Sequence, residues 1–175
     1  MIKHPNQRIG VFVDVQNMYH SARNLYNARV NFGKILETAV NGRQLIRALA
    51  YVVKSSATEE NTFFEAISKQ GFEVRMKDLQ IFPGGAKKGD WDVGMAVDAI
   101  KLSAKLDVII LVTGDGDFIP LVEYLQNHGQ QVEVIAFGES SSGKLIERAD
   151  DFIDLSADKR KYLMTSAITR RTFKK

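Results

Sequence analysis

Two carboxylates stand one residue apart in the stretch Thr113-Gly114-Asp115-Gly116-Asp117. A run of five apolar residues, Val108–Val112, leads into them. A third acid, Asp14, ends a similar run, Ile9–Val13, and a fourth, Asp92, lies near the start of the stretch 90–104. Carboxylates gathered in one place repel and raise one another's pKa unless a cation neutralises them. Oxygen-only ligands that leave room for water suit Mg²⁺ or Mn²⁺. Such ions make hydroxide from bound water and stabilise charge on a phosphate and its leaving oxygen, singly or as a pair. The expected chemistry is metal-dependent phosphoryl transfer to water, with Asp14, Asp92, Asp115 and Asp117 as metal ligands. Asn17, one helical turn beyond Asp14, is a candidate for holding a ligand water or the scissile phosphate. Lys88 and Thr113 are further candidates for substrate contact, Lys88 through a backbone phosphate. A plainer account makes Asp92 and Asp117 ordinary helix-start acids; it fits Asp14 and Asp115 less well.

The elements that must position these acids follow from hydropathy. Val108–Val112 and Ile9–Val13 read as strands buried on both faces, the habit of a parallel sheet. Ligands of open α/β sheets bind at the carboxyl ends of such strands. Further strands are expected over 45–53, 72–81, 132–137 and 152–155. Helices are expected after Asp14, from Asn31 through Ala39, from 56 to 70, from 90 to 104, from 118 to 128 and from 144 to 149. Asn31 reads as a cap, and Asn41-Gly42, Gly71 and Gly129 read as stops. Strand–helix alternation implies a three-layer α/β/α sandwich with a mainly parallel sheet of five to six strands. Right-handed crossovers put the strand-end loops on one rim. Within 90–104, Val93, Val97, Ile100 and Ala104 are expected on the core face. Asp98, about 240° around from Asp92, then falls on the opposite flank and off the metal site.

Composition narrows the classes. The 175 residues suit one domain, 1–155, with a basic tail, 156–175. The tail carries seven Lys/Arg against one acid, net +6, so a total of +3 leaves −3 for the domain. A basic tail attracts polyanions, nucleic acid above all, or it simply keeps the chain end solvated. Absence of cysteine removes disulfides, thiolate nucleophiles and Cys-based zinc sites. It fits a cytoplasmic location. The polar start has no signal-peptide pattern, and no apolar run approaches the roughly 20 residues that span a bilayer.

Several motifs are set aside. Gly138–Lys144 matches G-x-x-x-x-G-K, but Leu145 stands where a P-loop needs Ser or Thr, and the strand before it is the fifth. Asp14-Val15-Gln16 is not the Asp-x-Asp of an aspartyl-phosphate phosphatase. His4, His20 and His128 show no metal-ligand spacing.

Three segments together resemble the NYN domain, in particular the LabA-like group of the PIN-like nucleases. They are VFVDVQN with Asp14 and Asn17, KKGDWDVGMAVDAI with Asp92 and Asp98, and VTGDGDF with Asp115 and Asp117. ADDFIDL is similar to the family's closing segment, so the resemblance covers about residues 8–155. It implies a PIN-like fold with strand order 3-2-1-4-5, strands one and four adjacent, and metal-dependent ribonuclease activity. The family spacing has one residue between Lys-Gly and Asp-Val. Here Asp90-Trp91 intervene, which leaves Asp90 or Asp92 to face the metal; Val93 favours Asp92. The expected function is a Mg²⁺/Mn²⁺-dependent RNA nuclease acting on single-stranded or structured RNA. The alternatives are a non-enzymatic nucleic-acid-binding or regulatory module, and a phosphatase of small esters. No membrane partner is expected; a homo-oligomer is compatible with the sequence.

Overall fold

The computed structural model describes residues 3–54, 59–81, 87–88 and 90–164, with the side chains at 59–61, 80–81 and 87–88 outside that description. The loop 83–89 and the end of the basic tail, 165–175, therefore lie largely or wholly outside it.

The elements are β1 (Arg8–Asp14), α1 (Val15–Tyr26), β2 (Arg29–Val30), α2 (Phe32–Val40), β3 (Gln44–Lys54), α3 (Glu59–Lys69) and β4 (Glu73–Asp78). Then come β5 (Gln80–Ile81), β6 (Lys87–Lys88), α4 (Asp92–Ser103), β7 (Val108–Val112), α5 (Ile119–Asn127) and β8 (Gln131–Ala136). The chain continues through α6 (Gly143–Arg148), β9 (Asp151–Asp154), α7 (Lys159–Tyr162) and β10 (Leu163–Met164). Six strands form one sheet in the order β4-β3-β1-β7-β8-β9, every neighbouring pair parallel. This is the expected order with a sixth strand added at the β8 edge. Helices α1, α2 and α3 pack on one face with Ile9, Val11, Val108 and Ile110. Helices α4, α5 and α6 pack on the other with Phe12, Ile109 and Leu111. All five β7 residues are fully buried, as a strand covered on both faces requires.

Local chemistry sets the helix ends. The Asn31 side chain accepts from the Lys34 N–H, and Asn27 and Asn41 close α1 and α2 in the left-handed conformation. No helix of the described residues is long and apolar enough to cross a membrane.

Two expectations are corrected. The first concerns α4. Val93, Val97 and Ile100 point outward, and Met95, Ala99 and Ser103 are the buried residues. The helix is apolar almost all round, so periodicity alone chose the wrong face. Trp91 sets its rotation: the indole N–H donates to the Val52 carbonyl at 2.8 Å and the ring packs on Tyr51 at 5.4 Å. The second concerns the boundary at residue 155, which falls inside the folded unit. Tyr162 is buried in the core, its hydroxyl is 3.1 Å from Thr38 Oγ1, and its carbonyl accepts from the Asn31 N–H at 2.8 Å. Strand β10 then pairs antiparallel with β2. Tyr162→Ala should therefore cost about 3 kcal/mol, the scale of emptying a large aromatic site, read as a lower urea midpoint at unchanged slope.

Candidate metal centre

The site begins with two neighbouring strands. Val13 of β1 stands opposite Val112 of β7. One residue further, Asp14 and Thr113 leave the sheet side by side. The Thr113 hydroxyl donates to Asp14 Oδ2 at 3.3 Å and accepts from the Asp115 N–H at 3.2 Å. Asp14 also caps α1, its Oδ1 accepting from the Asn17 N–H at 3.0 Å. Asn17 Oδ1 in turn accepts from the Gly114 N–H at 3.0 Å, tying α1 to the loop after β7. That loop continues as a single helical turn, Gly116–Phe118, with the Asp115 side chain accepting from the Asp117 N–H at 2.9 Å. Helix α4 enters from the other side and brings Asp92 in its first turn.

Asp92, Asp115 and Asp117 each offer a carboxylate oxygen, and the three oxygens lie within 4.8 Å of one another. Ligands on one Mg²⁺ at ~2.1 Å stand at most ~4.2 Å apart. Neighbouring ligands on such an octahedral ion stand only ~3.0 Å apart, so a cation would draw the three carboxylates closer by side-chain rotation. The donor set is all carboxylate, which suits a hard divalent ion and not a thiophilic one. Asp92 and Asp115 are half-buried and Asp117 is exposed, so water keeps access to an ion held there.

Electrostatics points the same way. Burial, then the charges of Asp14, Asp115, Asp90 and Asp117, push the Asp92 carboxyl up from its ordinary 3.8 to about 6. Burial also raises Asp14, against the hydrogen bonds from Asn17 and Thr113, and Asp115 adds to the rise. Both groups carry charge that nothing in their surroundings fully offsets, which is the condition a cation relieves.

The predicted residues separate into roles. Asp14 lies outside the tight group of three, yet it is the carboxylate that acts most strongly on Asp92. Thr113 is fully buried, with its hydroxyl engaged to Asp14 and Asp115; it positions the acids, and the expected substrate contact is corrected on that ground. Asn17 is half-buried and clips the loop by its Oδ1, which leaves the two N–H groups of its amide as donors. Asp92, and not Asp90, belongs to the described cluster. Asp98 accepts from the Tyr51 hydroxyl at 3.0 Å and faces Arg75 at 3.9 Å, outside the cluster as expected. The Lys88 side chain lies outside the described residues.

Sequence reasoning missed the loop that braces the acids. Gly138–Gly143, set aside as a false P-loop, packs directly on the loop after β7. Ser142 donates its N–H to the Gly114 carbonyl at 2.9 Å. A Cβ at Gly114 would meet Ser141 Oγ at 2.5 Å and Ser141 Cα at 3.1 Å, and one at Gly116 would meet Ser142 Oγ at 2.9 Å. The glycines of Thr-Gly-Asp-Gly-Asp are therefore demanded by close approach of a second loop. Asp154, at the end of β9, holds that second loop by accepting from the Gly138 and Ser156 N–H groups, each at 2.8 Å. The repeated Ser/Gly pattern beside an Asp-Gly-Asp segment was the available signal.

Residues 8–156 match the NYN domain family. The chain belongs to that family. NYN domains are part of the PIN-like nuclease superfamily, and this one carries the acidic cluster on the carboxyl rim of its sheet. The chain is 23% identical to the low amplitude and bright protein LabA of Synechococcus elongatus over 160 residues, 85% of this chain and 84% of that one. It is 28% identical to an uncharacterized protein of Methanocaldococcus jannaschii over 153 residues, 86% of this chain and 56% of that one. A crystal structure of a Vibrio parahaemolyticus protein of unknown function superposes with a TM-score of 0.83 at 33% identity, covering 94% of this NYN chain and 100% of that one.

Two outcomes test the geometry. The Asp92 carboxyl binds its proton more tightly folded than unfolded, so its contribution to metal-free stability should fall as pH rises from about 4 to 6 and level off above. Asp92→Asn should remove that slope and raise metal-free stability at neutral pH by about 1 kcal/mol, allowing for solvent screening of a half-exposed group; thermal melts across pH measure both. Gly114→Ala should displace the acid loop against Ser141 and weaken Mn²⁺ binding, read by calorimetry, by about tenfold or more.

Proposed function

We propose that this NYN protein is a metal-dependent RNA endonuclease that hydrolyses phosphodiester bonds at the rim formed by Asp14, Asp92, Asp115 and Asp117. The observation that carries the reading is the gathering of three carboxylate oxygens within 4.8 Å on the strand-end rim, at a cost the fold does not otherwise need. A binding module for a polyanion gains nothing from such a group, because like charge repels its ligand. A Mg²⁺ or Mn²⁺ ion held by Asp92, Asp115 and Asp117 would offset most of that charge and offer open positions to a phosphate oxygen.

The bound ion would supply an activated water and charge stabilisation at the phosphate. The chain's own residues do the rest. Asp14 keeps lone pairs beyond the two hydrogen bonds it accepts, and it orients the attacking water. The Asn17 amide donors hold a non-bridging phosphate oxygen or a ligand water. Thr113 fixes Asp14 relative to Asp115, so the two move as a unit. Lys88 and the basic residues of the chain end, Arg170, Arg171, Lys174 and Lys175 among them, guide the RNA backbone by charge. The lack of cysteine fits this activity in a reducing cytoplasm.

Purified protein should cut labelled single-stranded or hairpin RNA with Mn²⁺ or Mg²⁺ and not with EDTA. Asp115→Asn, purified identically, should lose about 10²-fold or more while its melting profile stays cooperative. Equal cutting by both proteins would remove the assignment. Metal-dependent RNA binding without cutting by either would instead identify a regulatory RNA-binding module on the same site.

A further inference from the structure

Helix α4 carries an apolar stripe that the single chain leaves outside. Val93, Val97 and Ile100 are 75%, 40% and 38% exposed, and Ala104, just past the helix, is exposed as well. Their spacing of 4, 3 and 4 residues is that of a seam along which one helix packs lengthwise on another, unlike hydrophobic residues scattered singly over a surface. Trp91 locks the rotation of α4 through its bond to Val52, so the stripe cannot turn inward. The core is already filled on this helix by Met95 and Ala99. The flank of the seam nearer α5 carries the small, half-buried residue Ala96, which lets another backbone come close. Tyr124 of α5, in the same helical layer, is 40% exposed too.

We propose that a second copy of this chain covers the stripe, with α4 packed antiparallel on α4 about a two-fold axis level with the Asp98–Ala99 peptide. An isologous contact requires one patch to fit itself, and this patch does so in that register. Val97 faces the partner's Ile100, and Val93 faces the partner's Ala104, so the larger residues meet at the centre and a large residue meets a small one at each end. Charge matches in the same register. The two-fold operation keeps like flanks together and reverses direction. Asp98, on the flank towards β3 and β4, then comes within a helical turn of the partner's Lys101. A parallel pair would bring Lys101 against the Ala96 flank, where the nearest acid of α4, Asp92, lies nine residues and two and a half turns away. The seam alone falls short of the ~800 Å² per partner that a standard interface buries. Association is therefore concentration-dependent and draws in the outer face of α5 around Tyr124. The two Asp92 residues, each at its own helix start, would lie roughly 20 Å apart along the shared helix direction, presenting two rims on one assembly.

The chain has no cysteine, so one introduced cysteine reports contacts between copies. A mixture of Val97→Cys and Ile100→Cys full-length proteins should form a disulfide-linked pair of the two variants under mild oxidation, and Val93→Cys alone should not. Sedimentation velocity over a dilution series should show the unmodified chain shifting from one-chain to two-chain mass as concentration rises. Val97→Glu should stay at one-chain mass throughout with an unchanged far-ultraviolet circular dichroism spectrum; Ile100→Glu serves if that variant folds poorly. A one-chain mass at every concentration would overturn the proposal, and so would a two-chain mass that survives both charged variants. Self-linking of Val93→Cys would overturn the antiparallel register. None of these outcomes depends on whether the chain cuts RNA.

Discussion

Mutual repulsion among four carboxylates is the constraint around which the fold is arranged. Left to themselves, Asp14, Asp92, Asp115 and Asp117 would separate into water. They stay together because β1 and β7 are adjacent parallel strands whose last paired residues, Val13 and Val112, are fully buried. Asp14, directly after that pair on β1, and Asp115, three residues after it on β7, cannot move far apart without pulling a buried strand with them. The hydroxyl of Thr113 lies between them, bonded to the Asp14 carboxylate and the Asp115 N–H at once. The third and fourth acids come from elements pinned elsewhere. Asp92 rides on a helix docked by Trp91, and Asp117 on a short turn closed by the Asp115 side chain.

The hydrogen bonds around the acids do two jobs. Each bond from a backbone N–H or a hydroxyl offsets part of the burial cost of a carboxylate. Each also fixes the direction in which that carboxylate points. Bracing continues behind the site. Asp154 holds the turn at Gly138, the turn carries Ser141 and Ser142 to within contact of Gly114 and Gly116, and those glycines set the path of the acid loop. Rigid support of this kind is what a metal site needs if its ligands are to meet an ion without a large rearrangement. The far end of the sheet uses charge differently. Glu133 is buried in β8 and held by both terminal nitrogens of Arg43, at 2.7 and 2.9 Å. That carboxylate is matched by a fixed cation, with Lys3 3.4 Å away as well, whereas the rim acids lack any such cation among the described residues.

The strands were legible because a parallel sheet covered on both faces demands continuous apolar runs, and Ile9–Val13 and Val108–Val112 are such runs. Their ends were legible too, since an acid after a buried strand has few structural reasons to be there. The neighbour relation of β1 and β7 came from family resemblance; no local pattern in either strand encodes it. The rotation of α4 was not legible. Val93, Val97, Ile100 and Ala104 form a better apolar stripe than Met95, Ala99 and Ser103, and long-range bonds, from Trp91 to Val52 and from Tyr51 to Asp98, decide between them. The end of the domain was hidden for a similar reason. Lys159, Arg160 and Lys161 read as tail, but Tyr162 supplies the buried anchor that folds this segment back onto α2 and β2. Contacts between residues far apart in sequence, such as Arg43 with Glu133 or Gly114 with Ser141, leave no periodic trace in either partner.

The central claim is that the rim acids hold a divalent cation. Anomalous diffraction from crystals soaked in Mn²⁺ tests it directly, because manganese is located by its own signal and not by its effect on activity. The account predicts a peak at bonding distance from Asp92, Asp115 and Asp117, with Asp14 and Asn17 facing its water ligands. A clear data set with no peak on this rim, or with manganese bound only elsewhere on the surface, would contradict it.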